Sequence, residues 1–449
     1  MPMNWNKNLL WNYIGYGISL AINILLLPVV LKFLNNEELG LWYVFMSVGT
    51  FVAMVDFGFS PQIARFVTYP YAGADSLKKK GIVSATQIGM NIELLQKLLV
   101  VSRRLYFFLS LFVFILLITI GTYYVCSITK MLSLWQVLCS WIFFCIASFV
   151  NILYGYYNAF FRGIGDFVSI NKAILLSKCV QIFCSFIGLY LGYGLFAVAF
   201  SFFLSGIFLR IYLGIALRRF GKENSFPEKK DSFDVGVLSI IWHNSWREGV
   251  VMISRYLIIQ SNTILCSLYI NLIETASYAL AVQILTIISS VSLIYFTTNL
   301  PKLGTARVTD NVEYKNKLLS KTWFIYIVSY ILMLLLLFVV GIPIIEYIKP
   351  NVMLENSLLL FVALYMFLEA NQSLFVSYIS TSNKLPYVFP YLISAASGVV
   401  IAIILLEYTD LGIWGIVFAH FVVQLCYNNW KWPYYVFKES KMNMVSIFK

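Results

Sequence analysis

The chain has 449 residues, 60% of them hydrophobic and only 12% charged, and a formal net charge of +12. So apolar a composition excludes a water-soluble domain, whose surface could not accommodate it. The positive charge could suit nucleic acid, but in a membrane protein it follows from the collection of Lys and Arg on the cytoplasmic side.

Twelve apolar stretches follow one another, at roughly 9–33, 41–69, 105–125, 134–160, 171–190, 195–217, 241–268, 276–299, 323–345, 357–380, 389–406 and 412–430. About 20 residues rising 1.5 Å each cross the hydrocarbon layer, so each stretch is expected to be a membrane-spanning helix. The first is longer than a signal-peptide core and no small-residue cleavage site follows it, so it is expected to be retained. With the N-terminus inside, cytoplasmic loops and tails hold 24 of the 32 Lys and Arg. Lys32, Lys130 and Lys349 lie at exterior ends, and both termini are expected in the cytoplasm. Seven cysteines lie in or beside the spans with no CxxC pair, as small core residues do.

In chain order, Trp42, Trp135 and Tyr434 near span ends read as interface-belt aromatics. Pro28 and Pro61 are expected to kink their helices. Asp56, in Asp56-Phe57-Gly58-Phe59-Ser60-Pro61, is a mid-membrane carboxylate. It either carries a proton or pairs with an Arg or with backbone freed by Pro61. In the basic loop 70–104, apolar residues at Ile88, Ile92, Leu95 and Leu99 predict an amphipathic helix lying on the inner leaflet. The second long basic connection, 218–240, divides the spans six and six. The expected domains are therefore an N-terminal bundle (1–220), a cytoplasmic linker (221–240) and a C-terminal bundle (241–449).

The halves share local patterns in the same order. Gly194–Phe200 matches Gly412–Phe418, Arg162–Asp166 matches Ser380–Lys384, and Asn35–Glu38 parallels Asn271–Glu274; Leu10-Trp11-Asn12 parallels Ile241-Trp242-His243. These matches predict a duplication. With an even number of helices per half, the two bundles should be related by a pseudo-two-fold axis along the membrane normal, with a binding site between them.

Ionisable residues within spans are costly unless they face a cavity or a partner. They are Asp56, Arg65, Lys178, Arg210, His243, Arg247, Glu248, Arg255, Glu369 and His420. Arg65 and Arg210 lie in cytoplasmic-side thirds, from which long side chains reach the interface. The seventh span is the richest. Measured from His243, helical geometry places Arg247 at about 40°, Asn262 at about 100°, Arg255 at about 120°, Glu248 at about 140° and Ser254 at about 20°. One polar arc lining a wet cavity is predicted, the competing reading being a Glu248–Arg255 bridge inside the bundle. Five cations against three acids favour an anionic solute, and Arg binds phosphate oxygens in bidentate fashion. No HExxH, P-loop, GxSxG or dinucleotide glycine pattern is present in the sequence, which argues against an ATP-driven pump.

The segments Trp11-Asn12, Leu27-Pro28, Glu38-Leu39-Gly40-Leu41-Trp42 and Asp56-Phe57-Gly58 resemble those of the polysaccharide-biosynthesis flippases, the Wzx-type O-antigen transporters. Ala276–Leu280 leading to Asn299–Leu303, Phe161–Gly165 and Gly194–Phe200 fit the same pattern. That family shares a superfamily with the multidrug and toxin extrusion (MATE) proteins. The resemblance implies an all-α polytopic membrane protein with 12 transmembrane helices in two pseudo-symmetric six-helix bundles, and a V-shaped central cavity. It implies a transporter, not an enzyme, moving undecaprenyl-pyrophosphate-linked oligosaccharide between leaflets of the bacterial inner membrane by alternating access. Its partners would be that lipid, the membrane lipids and other polysaccharide-assembly proteins, with no nucleic acid. No cofactor is expected beyond coupling to an H+ or Na+ gradient. On the span analysis, Arg247, Arg255 and Lys178 are the candidates to hold pyrophosphate or anionic sugar, with Arg210 and Arg65 nearer the cytoplasmic entrance. Asp56, Glu369, Glu248 and His420 are the ion-coupling candidates. A cation-coupled multidrug antiporter and a polyprenyl-dependent polymerase are the alternatives.

Overall fold

The computed structural model describes residues 26–78, 89–129, 132–226, 234–308, 312–381 and 386–440. Most of the first expected span, the Leu10-Trp11-Asn12 match, the linker segment 227–233 and Lys384 lie outside the described residues. The described chain is helical throughout, with no strand. Its first part runs α1 (26–33), α2 (Asn36–Met54), α3 (Phe59–Tyr71), α4 (Ile92–Leu116), α5 (Thr122–Ile128), α6 (Leu134–Leu153), α7 (Tyr156–Gly163), α8 (Phe167–Tyr190), α9 (Gly194–Glu223) and α10 (Val235–Ile259). It continues as α11 (Ser261–Tyr269), α12 (Leu272–Ser292), α13 (Ile294–Val308), α14 (Val312–Leu336), α15 (Ile342–Ile348), α16 (Asn356–Ser380), α17 (Val388–Tyr408), α18 (Ile413–Val423) and α19 (Asn429–Ser440). π-helical turns join α4 to α5, α14 to α15 and α18 to α19. Among the described residues nine helical runs are long and apolar enough to cross a membrane, ten if the bent α2–α3 pair is one span. The twelfth expected span is α18 continued through its π turn into α19, and it is not one of those nine.

The chain forms two compact units, up to Met252 and from Ile253. The division falls inside α10, beyond the 221–240 linker, because the first half of that helix packs on the turn between α2 and α3. Internally the two units repeat. α4 and α14 are both 25 residues long and start 220 positions apart, at Ile92 and Val312. Each runs into a five-residue π turn closing on glycine (Leu117–Gly121, Leu337–Gly341) and then a seven-residue helix. Asn35 caps α2 by accepting from the Glu38 N–H at 2.7 Å, and Asn271 caps α12 by accepting from the Glu274 N–H at 2.8 Å. Gly194 and Gly412 precede the sixth span of each half with φ of 50° and 53°, the left-handed region that a side chain disfavours. The two caps and the two glycines lie at positions the sequence matches marked, whereas the paired π turns were not among those matches.

Residues 55–58 form the turn between α2 and α3, which are bent by 42°. The break is at Phe57 and Gly58, both with positive φ, and not at Pro61. Pro61 sits in the first turn of α3, where its missing N–H has no helical partner to lose. Gly58 (φ 75°) also packs closely on α10: a Cβ there would stand 2.6 Å from the Glu248 Cβ. Gly249 answers it, since a Cβ there would lie 2.5 Å from the Phe57 ring, and Phe57 stacks on Trp242 at 5.7 Å. Gly58→Val therefore combines left-handed strain of about 1–3 kcal/mol with overpacking of about 1–3 kcal/mol. It is expected to lower the unfolding temperature in detergent by several degrees; an unshifted transition would show that the turn can be remade.

The stretch from Ile92 is no separate surface helix but the continuous start of α4, capped by Asn91. Leu95, Leu98 and Val101 are fully buried, so its apolar face packs on protein instead of lying on lipid. Trp42 is no belt residue: α2 is buried nearly all round, and Trp42 meets Phe202 edge-on. Trp135 and Tyr434 are exposed, as belt residues would be. Of the cysteines only Cys145 and Cys266 are buried, while Cys179 and Cys426 lie exposed on their helices.

Candidate functional site

Each unit holds its own polar cluster among apolar helices. In the first, the α2–α3 turn brings Asp56 to the face of α4. One carboxylate oxygen accepts from the Ser60 N–H at 3.0 Å, covering a donor at the start of α3, and the other accepts from the Tyr106 hydroxyl. Arg162 and Arg210 lie within electrostatic reach of this pair, Arg162 of Asp56 and Arg210 of Tyr106. Arg210, on α9, donates a long bond (3.4 Å) to the Tyr154 carbonyl, and its buried Nε–H has no partner among the described residues. It lines a cavity of about 390 Å³ together with Tyr154, Tyr157, Gly214 and Arg218.

In the second unit, α16, α17 and α18 converge on Glu369, which is 5% exposed. Tyr391 donates to Oε1 and Gln424 Nε2 to Oε2, each at 2.6 Å. The chain of bonds continues outward: Asn429 donates to Gln424 Oε1 (3.3 Å), Asn371 to Asn429 (3.0 Å), and Trp323 to Asn371 (2.9 Å). Gln424 opens the π turn between α18 and α19, a widening of the helix that frequently marks functional sites. Arg255 lies within electrostatic reach of Glu369 and Tyr391, outside ion-pair contact. One turn back along α16, Tyr365 donates to the Ile258 carbonyl at the end of α10. Asn262 Nδ2 donates to the same oxygen at 3.0 Å, so two side chains satisfy the break between α10 and α11.

His420 stands one turn before Gln424 on α18, its ring 5.9 Å from that of Tyr365. It fits because Gly398 opposite lacks a Cβ, which would lie 2.5 Å from the imidazole. Its buried Nε2 has no hydrogen-bond partner among the described residues. The structure thus gathers Arg255, Glu369 and His420 along one seam, and Asp56 with Arg210 in another. The remaining candidates have contacts of their own. Lys178 donates to Gln181 (2.9 Å), Arg65 to the Tyr69 hydroxyl (3.0 Å), and the exposed Arg247 lies over the Trp246 ring at 5.4 Å. Glu248 is half-buried beside Gly58.

The single polar arc expected along the seventh span is interrupted. His243, Arg247 and Arg255 are exposed, but Ser254 and Asn262 are fully buried. The helix ends at Ile259, so an angle extrapolated across Gln260 does not hold for Asn262. The Glu248–Arg255 bridge does not form either. Ion pairs do form at Lys97–Glu93 and Arg307–Glu439, both away from mid-span. No group of three His, Cys, Asp or Glu side chains suited to a metal occurs among the described residues.

Neither a protein-family sequence model nor a curated protein sequence matches the chain. Solved structures do. An inward-facing multidrug resistance MATE-family transporter of the MOP superfamily superposes with a TM-score of 0.72 at 16% identity, over 94% of each chain. An outward-facing one gives 0.63 at 15%, covering 98% of this chain and 96% of the other. The chain has the MATE fold. A third match is a MOP-superfamily transporter from Pyrococcus furiosus, with a TM-score of 0.57 at 16% identity over 97% of both chains. For that protein, a binding pocket of reversed polarity suggests a different function. The shared MATE fold and the apolar helices make this chain a multi-pass membrane protein.

Proposed function

We propose that this MATE-fold chain is a transporter, not an enzyme, and that its cargo is an anionic saccharide on a lipid carrier: undecaprenyl-pyrophosphate-linked oligosaccharide. In this reading the cargo moves from the cytoplasmic to the periplasmic leaflet of the bacterial inner membrane by alternating access. One observation carries it. Lys178, Arg210, Arg247 and Arg255 all lie within apolar helices, yet none takes part in an ion pair among the described residues. Cations held at that depth without carboxylate partners suit a cargo that brings its own negative charge. Arg247, Arg255 and Lys178 would meet pyrophosphate or acidic sugar, and Arg210 and Arg65 would lie nearer the cytoplasmic mouth.

Glu369 and Asp56 are the groups we assign to H+ or Na+ coupling, with Glu248 and His420 as further candidates. Both main carboxylates are held by neutral donors, so each can exchange a small cation without breaking an ion pair. The second reading, a cation-coupled multidrug antiporter, is favoured by the same buried Glu369 and by the multidrug transporters that share the fold. Proteoliposomes decide between them. Under an imposed gradient, a fluorescent polyprenyl-pyrophosphate saccharide is expected to change leaflet while a cationic dye is not exported. Dye export with a static lipid would select the antiporter.

A further inference from the structure

We infer that the cavity on α9 in the N-terminal unit is a binding site for the phosphate headgroup of an anionic membrane lipid. Its frame follows from helical spacing. Arg210, Gly214 and Arg218 recur every fourth residue and so lie along one side of α9, the Cα atoms of the two arginines about 12 Å apart along the axis. Gly214 between them leaves a floor without a side chain, and the Tyr157 ring lies 3.5 Å from where its Cβ would be. Tyr154 stacks on Tyr157 with ring centres 5.4 Å apart, making a rigid aromatic wall. The cavity holds about 390 Å³, room for a phosphate and its glycerol but not for a large saccharide.

Charge and polarity then specify the occupant. Arg210 presents a buried Nε–H with no acceptor, and neither Arg210 nor Arg218 has a carboxylate within ion-pair distance among the described residues. A buried donor left unmade costs about 1–3 kcal/mol, which an anion's oxygen recovers. The planar fork of each guanidinium suits the tetrahedral oxygens of phosphate, and both arginines line this one cavity. The rim is apolar: Ile211 and Ile215 are each 55% exposed beside the cavity, as the path of a hydrocarbon tail would require. Free phosphate uses only the arginines; a lipid uses both features. Arg218, Arg219 and Lys222 end the same helix, and the positive-inside expectation assigns that end to the cytoplasmic leaflet.

This lipid site shares Arg210 with the proposed cargo path, but retention of a lipid is read without transport. The purified full chain in detergent is offered phosphatidylglycerol, phosphatidylcholine or inorganic phosphate, and native mass spectrometry counts what stays bound. Phosphatidylglycerol is expected to be retained over phosphatidylcholine and not to be displaced by an equal concentration of inorganic phosphate. Arg218→Gln and Gly214→Leu, the first removing one fork and the second filling the floor, should each weaken retention by about tenfold or more. Both positions lie toward the exposed end of α9, and an unchanged elution volume establishes that the variants are folded. Equal retention of the two lipids, wild-type retention by both variants, or full displacement by inorganic phosphate would each overturn the assignment.

Discussion

Glu369→Ala is expected to lower the unfolding temperature of the purified protein clearly, whereas Glu369→Gln should fold almost as the parent does and lose gradient-driven transport. Two buried donors end on this carboxylate, Tyr391 and Gln424, each at 2.6 Å. Alanine strands both in an apolar surround, at about 1–3 kcal/mol apiece. Glutamine keeps an acceptor for Tyr391. Its own amide then faces that of Gln424, which must turn over and surrender only the long 3.3 Å bond from Asn429. The fold therefore survives, while a group that can take up H+ or Na+ does not. Thermal unfolding in detergent reads the first effect, and uptake driven by an imposed H+ or Na+ gradient reads the second. Parental rates in the Gln variant would take Glu369 out of the coupling mechanism.

The second large effect concerns the cargo. Arg247→Ala, Arg255→Ala and the double variant should each reduce surface polysaccharide in a host that depends on this chain, with protein abundance unchanged. Hydrogen bonds to a charged group contribute about 1.5–3 kcal/mol, so each loss corresponds to roughly tenfold or more in transport. Lysine at either position should rescue partly, since it keeps the charge and gives up the planar fork. Arg255 also stands near Glu369, so in the proposed mechanism its replacement would disturb coupling as well as cargo. Arg247, resting on Trp246, is the cleaner probe. Polysaccharide at the parental level in both single variants and the double would remove these residues from the cargo path.

The membrane class, the helical class and the internal duplication were legible because they depend on local composition and spacing. Asn35 and Asn271 announce their caps through a Glu three residues later, and Gly194 and Gly412 mark equivalent helix starts. The expensive charges were also visible, because an Asp or Glu within an apolar run needs no partner in view to be noticed. Their partners were hidden. Tyr106 meets Asp56 across 50 positions and Gln424 meets Glu369 across 55, distances that one sequence without helix rotation does not bridge. The polar residues Gln424, Asn428 and Asn429 inside an otherwise apolar span were the available signal for the second cluster. The arc along the seventh span failed for the same reason in reverse. It fails already at Ser254, which is buried within unbroken α10 between the exposed Arg247 and Arg255, and the angle of Asn262 also crosses the interruption at Gln260.

The widened turns at Leu117–Gly121 and Leu337–Gly341 bear on the history of the chain. A π turn accommodates one inserted residue within an existing helix, normally at some cost in stability. Two separate insertions at the matching point, both ending on glycine and both followed by seven residues of helix, are less economical than a single ancient one. The bulge then predates the gene doubling. A living relative built from one six-helix half, pairing with a second copy of itself, should still carry it.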